Sequence, residues 1–139
     1  MQKITPHLWF DREAEEAARF YTSVFNDSKI NNKTTLHNTP SSTVDIVTIE
    51  LLGQEFMLIS AGPLFKFNPT VSFLVACKTK DEVDALWVKL SEGGTALMEI
   101  GEYPFSERYG WVQDRFGLSW QVMSTGGHMI TQKITPTLM

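Results

Sequence analysis

Apolar residues in the first part of the chain follow two different periods. Ile4, Leu8 and Phe10 fall on one face of a period-2 segment, which predicts a β-strand. From 12 to 25 the apolar positions recur at the spacing of one helical stripe, which predicts an amphipathic helix. Asp11 lies just before this stripe, so we predict that Asp11 is the helix N-cap.

Three further strands are predicted after this helix, at 30–37, 44–52 and 55–60. The first is polar and rich in threonine, which indicates partial exposure, and the second is apolar and β-branched. Gly53 lies between the last two strands and predicts a tight hairpin turn.

The same order of elements then begins again. A strand is predicted over 70–77, and Thr79 followed by Glu82 has the spacing of a capping box at the start of a second helix. Strands follow near 96–100, 109–113 and 118–124, and the last two are joined by a turn beginning at Asp114. Cys77 and Trp120 are predicted to lie on the helix side of their strands, in the core.

The chain therefore contains the order βαβββ twice. Each copy is one amphipathic half-sheet with one helix, too small to enclose a core, whereas two together bury one. We predict an α+β fold in which two modules, about 1–62 and 69–125, form a curved mixed sheet around a cleft. They make a single domain over residues 1–128.

The last residues repeat the first ones. Gln132-Lys133-Ile134-Thr135-Pro136 is identical to Gln2-Lys3-Ile4-Thr5-Pro6, and Leu138 corresponds to Leu8. We interpret 129–139 as a tail that resembles the first strand of a second, truncated copy of the domain. A coincidence or a swapped terminal strand is the alternative.

Composition and charge narrow the function classes. Of 139 residues, 42% are hydrophobic and 20% charged, so a packed core is expected. The formal net charge of −4 argues against binding to nucleic acid or to an anionic membrane surface. No apolar run approaches the roughly 20 residues of a membrane helix, and no signal peptide is apparent. We predict a soluble cytoplasmic protein.

Three stretches resemble a known family. They are Ile-Thr-Pro-His-Leu-Trp-Phe at 4–10, Ala-Glu-Glu-Ala-Ala-Arg-Phe-Tyr at 14–21 and, most specifically, the run 103–121. With the paired modules, they make residues 1–125 similar to PhnB-like, demethylubiquinone methyltransferase-like proteins of the glyoxalase/bleomycin-resistance (vicinal oxygen chelate) superfamily. The resemblance implies the fold much more strongly than the activity.

The resemblance also implies where a metal ion would bind. Enzymes of the superfamily hold a divalent ion with one side chain from the first and last strand of each module, and these positions correspond here to Thr5, Met57, Ser72 and Gln121. None is His, Asp or Glu, the residues that such ions prefer. We therefore predict no metal centre and no cofactor. The sequence also lacks a glycine-rich strand-to-helix loop suited to S-adenosylmethionine.

The cleft is instead predicted to bind a small apolar or aromatic molecule. Its lining and anchoring residues are His7, Trp9, Glu55, Met57, Ile59, Leu74, Gln121 and Met123, with His7 and Gln121 as polar anchors and Glu55 near the mouth. The alternative is an enzyme of the same superfamily that uses His7 or Glu55 for acid–base chemistry, or a metal held by other ligands. Because open curved sheets leave free edges, we also expect a homodimer, or pairing with a second domain in the same chain.

Overall fold

The structure is a computed structural model that describes residues 2–40 and 42–139. The chain divides into two compact units, Met1–Lys66 and Phe67–Met139. Each unit contains one helix and one mixed β-sheet. The predicted α+β class and the repeated βαβββ order are therefore confirmed.

The first unit contains one helix packed on a four-stranded sheet. The elements are β1 (His7–Phe10), α1 (Ala14–Val24), β2 (Ser28–Thr39), β3 (Ser42–Leu51) and β4 (Gln54–Ser60). The strand order in the sheet is β1-β4-β3-β2, in which β1 and β4 are parallel and the other pairs are antiparallel.

Helix α1 buries the predicted stripe but begins later than predicted. Ala14, Ala17, Ala18, Tyr21, Val24 and Phe25 are all buried. The prediction of Asp11 as N-cap is wrong: Glu13 takes that position, without a side-chain capping bond. Instead, the Ala14 N–H donates to the Ser60 hydroxyl at 2.9 Å, 46 residues away in the sequence. A hydroxyl on β4 thus accepts the hydrogen bond that a capping side chain next to the helix would otherwise accept.

The hairpin between β3 and β4 has the predicted tight turn. Leu51 pairs with Gln54, so only Leu52 and Gly53 form the loop. Their φ angles are +51° and +82°, the positive pair required by a type I′ turn. The turn places the residues of β4 in a fixed register beside β1 and β3.

The second unit repeats this arrangement and adds one strand. The elements are β5 (Val71–Cys77), α2 (Lys80–Leu90), β6 (Thr95–Tyr103), β7 (Ser106–Gln113), β8 (Ser119–Ser124) and β9 (Ile134–Leu138). The strand order in the sheet is β6-β7-β8-β5-β9, with β5 parallel to β8, as β1 is to β4 in the first unit. The tail forms the added strand β9, which pairs antiparallel with β5.

Helix α2 is capped as predicted and packs closely on β7. The Thr79 hydroxyl accepts a hydrogen bond from the Glu82 N–H at 3.2 Å. A Cβ atom at Gly110 would lie 2.4 Å from the Trp87 ring, so only glycine admits the indole here. Cys77 and Trp120 are buried on the helix side, as predicted.

The turn between β7 and β8 is organised by one buried carboxylate. Asp114 is 3% exposed, and its oxygens accept bonds from the Phe116 and Leu118 N–H groups and from the Trp120 indole. The carboxylate thereby joins the turn to the core and fixes where β8 begins.

Candidate ligand-binding site

Four of the predicted site residues lie together in the first unit. His7 pairs with Met57, and Trp9 pairs with Ile59. Directly paired residues share a face of the sheet. The residues between them along β1 and β4, such as Leu8, point to the opposite face and are buried. His7 is exposed and the other three are half-buried.

The indole of Trp9 already has partners within its own unit. Its N–H donates to the Gly62 carbonyl at 2.9 Å, and its ring meets Phe65 edge-to-face at 5.1 Å. Glu55 is exposed at the start of β4, and its backbone exchanges two hydrogen bonds with the Gln2 side chain. The Trp9 side chain therefore contacts the segment after β4 at Gly62 and Phe65, and its indole N–H is already hydrogen-bonded.

The other three predicted residues lie together in the second unit. Leu74 pairs with Gln121, and Met123 follows two positions along β8, so all three share one face. The Gln121 amide N–H donates to the Ser72 hydroxyl at 2.7 Å, and its carbonyl accepts from the Tyr109 hydroxyl at 2.6 Å. Both ends of the amide are held, which fixes its orientation.

Three side chains form a chain of hydrogen bonds in which the Tyr109 hydroxyl donates to Gln121 and Gln121 donates to Ser72. Burial, reinforced by the neighbouring Tyr103, raises the pKa of the Tyr109 phenol. The phenol therefore stays protonated and donates to Gln121. Its ring also meets Tyr103 and Phe105 edge-on, at 5.4 and 4.8 Å.

Trp111 is a residue of this candidate site that sequence reasoning did not include. It pairs directly with Gln121 across β7 and β8, so its side chain lies on the same face. Its indole nitrogen is buried and has no hydrogen-bond partner in the part of the chain that the structure describes. The alternation of side chains along β7 would have placed Trp111 on this face if the register of β7 on β8 had been known.

An open groove lies at one end of this sheet. It has a volume of about 730 Å³ and includes the stacked rings of Tyr103 and Phe105, together with Glu107 and His128. Glu107 accepts a hydrogen bond from the Ser124 hydroxyl at 3.0 Å. Because both rings contact Tyr109, the groove adjoins the residues that orient Gln121.

The residues do not fit a divalent metal. At the two positions of the second unit that the resemblance marks as metal ligands, Ser72 and Gln121 are neutral and bonded to each other. Among the described residues, no three of the types His, Cys, Asp and Glu cluster as a metal site would require. This donor chemistry does not suit a Zn²⁺ or Mn²⁺ centre.

The strand-to-helix junctions do not fit S-adenosylmethionine either. The segments 11–13 and 78–79 connect β1 to α1 and β5 to α2, and neither contains glycine. A nucleotide-like cofactor bound at a helix N-terminus needs close backbone approach there, which glycine permits.

Solved structures share this repeated βαβββ arrangement. A glyoxalase/bleomycin resistance protein/dioxygenase domain from Frankia is 17% identical, with a TM-score of 0.66, and the match covers 92% of this chain and 96% of that one. The fosfomycin resistance protein FosX from Listeria monocytogenes, complexed with Mn(II), is 12% identical, with the same TM-score, over 89% and 94% of the two chains. The fold is that of the glyoxalase/bleomycin-resistance superfamily.

A solved structure with higher sequence identity and a family model show the family of this chain. The PhnB protein of Bacillus cereus is 40% identical, with a TM-score of 0.81, over 89% of this chain and 100% of that one. The model of the 3-demethylubiquinone-9 3-methyltransferase family matches residues 2–123. The chain belongs to this PhnB-like family. No curated protein matches it.

Neither helix in the described part of the chain is long and apolar enough to cross a membrane.

Proposed function

We propose that this PhnB-like protein binds a small organic molecule on the open face of the second unit's sheet. The ligand has a flat aromatic or apolar body and an oxygen atom that accepts a hydrogen bond. We call this surface, formed by Leu74, Trp111, Gln121 and Met123, the β8 face. The buried, unpartnered indole N–H of Trp111 is the observation that carries the proposal.

A buried donor without a partner destabilises a folded protein by about 1–3 kcal/mol. Such a group therefore calls for an explanation. We infer that a ligand oxygen becomes its partner when the side chains that cover the indole nitrogen move aside on binding. The other side chains of the β8 face support this reading. Leu74 and Met123 supply apolar contact, and Gln121 is a polar group held in a fixed orientation.

The proposal includes binding without a metal centre, since Ser72 and Gln121 are unsuited to metal ligation. His7, Trp9, Glu55, Met57 and Ile59 of the first unit remain predicted ligand contacts. A cytoplasmic location likewise remains a prediction from the sequence.

Two ligands of matched shape test the proposal. 2-Acetylnaphthalene and 2-ethylnaphthalene share one aromatic frame and differ in the carbonyl oxygen. We expect the ketone to bind about 5–10-fold more tightly to the wild-type protein, which corresponds to one additional hydrogen bond of about 1 kcal/mol. Saturation-transfer NMR titrations measure both dissociation constants.

Replacing Trp111 by Phe separates the indole N–H from the aromatic surface. In Trp111→Phe we expect the preference for the ketone to be lost, because the aromatic ring remains and the donor is gone. Trp9→Phe is the matched control, since the Trp9 N–H already donates to Gly62 and its loss should leave the preference unchanged. Equal binding of the two compounds to the wild type, or an unchanged preference in Trp111→Phe, would refute the proposal.

A further inference from the structure

The repeated termini of the chain have the same local conformation but opposite exposure. The Gln2 side-chain amide donates to the Ile4 carbonyl at 2.9 Å, and the Gln132 amide donates to the Ile134 carbonyl at 2.8 Å. Ile134 is fully buried, whereas Ile4 is 82% exposed. The same five residues therefore occur once as a docked strand and once with their apolar residue in solvent.

Strand β9 docks on β5 through alternate residues. The Ala76 N–H donates to the Lys133 carbonyl at 2.9 Å, and the Met139 N–H donates to the Thr70 carbonyl at 2.8 Å. In an antiparallel ladder the backbone of every second residue points to the partner, so the odd-numbered residues of β9 face β5. Pro136 falls in the other set, where its missing N–H is not needed.

The first segment presents the same set of backbone groups at a free edge. The Met57 N–H donates to the Pro6 carbonyl, and the Ala61 N–H donates to the Phe10 carbonyl. The even-numbered residues of this segment thus bond toward β4, and the odd-numbered ones face away. Strand β1 is the outer strand of its sheet, so this side is unpaired among the described strands.

The two sets match position by position. Lys3, Thr5 and His7 correspond to Lys133, Thr135 and Thr137, whose backbone faces β5. The first segment can therefore pair with a β5 strand while keeping its bonds to β4. In that pairing Ile4 takes the place of Ile134 beside Val75, which is only 1% exposed, and leaves solvent.

We propose that β9 competes with residues 2–8 of a second copy of this chain for the side of β5 that β9 covers, which we call the β5 edge. Each copy carries both the segment and the edge, so two reciprocal contacts close a symmetric homodimer. β9 thereby acts as an internal blocking strand that limits this association. The inference does not depend on ligand binding.

Charge substitutions at the two isoleucines test this competition in the full chain. Ile134→Asp places a carboxylate at a fully buried position and should release β9 from the β5 edge. We expect it to strengthen dimerisation at least 10-fold, measured by sedimentation equilibrium. Ile4→Asp added to Ile134→Asp should return the protein to a monomer of 15.8 kDa.

The wild-type protein and Ile4→Asp alone complete the set. A wild-type monomer, or a wild-type dimer that Ile4→Asp dissociates, agrees with the proposal. A dimer that persists in Ile4→Asp, or an Ile134→Asp variant that associates no more than the wild type, overturns it.

A peptide experiment applies if Ile134→Asp does not fold. Hydrogen exchange of β9 is measured in the wild-type protein with a synthetic peptide of residues 2–9 at millimolar concentration. We expect faster exchange over 134–138, because the peptide displaces β9, and no change with the Ile4→Asp form of the peptide. Equal exchange with and without the peptide overturns the proposal.

Discussion

Gly110 offers a direct test of how α2 packs on the second sheet. A Cβ atom at this position would lie 2.4, 2.8 and 2.9 Å from three carbons of the Trp87 ring. Ordinary carbon–carbon contacts are about 3.5–4 Å, so Gly110→Ala requires the indole to retreat by about 1 Å. We expect Gly110→Ala to destabilise the fold through this overpacking.

The magnitude follows from a matched glycine in the neighbouring strand. A Cβ atom at Gly101 on β6 meets nothing within 4 Å, so Gly101→Ala changes backbone entropy and strand propensity without a clash. Such a change stabilises a strand by about 0.5–1 kcal/mol. Overpacking costs about 1–3 kcal/mol, and the difference between the two variants isolates this cost.

Equilibrium urea denaturation gives the free energy of unfolding of each variant. We expect Gly110→Ala to be less stable than Gly101→Ala by about 1–3 kcal/mol, and Trp87→Leu to abolish most of that difference. A difference below about 0.5 kcal/mol, or one that persists in the Trp87→Leu background, would refute the packing of Trp87 against Gly110.

Four further variants or measurements test other parts of the fold. Thr79→Ala should lower the free energy of unfolding by about 1 kcal/mol in urea titrations, since it removes the α2 cap. Asp114→Ala should cost about 3 kcal/mol or more by the same assay, because three donors lose one carboxylate. Burial raises the pKa of the Cys77 thiol to about 12, so Ellman's reagent at pH 8 should label native protein at least about 100-fold more slowly than unfolded protein. Because the unfolded thiol ionises near 9.0, its contribution to stability should be lost as the pH rises from there toward 12. Equal labelling rates, or unchanged stability in Thr79→Ala or Asp114→Ala, would contradict the corresponding contact.

The order of elements was predictable because each depends on a local period. The α1 stripe and the Gly53 hairpin are complete within one short segment, and so is the cap formed by Thr79 and Glu82. The Ala14 N–H instead finds its acceptor on Ser60, 46 residues away, and no local pattern reports that contact. Long-range partners decide helix ends where a local cap is absent.

The site was predictable only in part for the same reason. Gln121 was expected as a polar anchor, but its partners Ser72 and Tyr109 are 49 and 12 residues away. Trp111 needs the register of β7 on β8 to be placed beside Gln121, and a slip of one residue would turn it to the other face. The copied segment at the C-terminus was visible in the sequence, but the β5 edge that it covers was not.

The indole N–H resonances provide the most direct test of the β8 face. The chain has four tryptophans, and ¹⁵N–¹H correlation spectra resolve one indole signal from each. The signal absent in Trp111→Phe identifies Trp111. On titration with 2-acetylnaphthalene, we predict a downfield shift of this signal as its N–H gains an acceptor, whereas the Trp9 and Trp120 signals, already bonded to Gly62 and Asp114, stay in place. A Trp111 signal that does not move at saturating ligand, or one that moves equally with 2-ethylnaphthalene, would contradict ligand binding through this group.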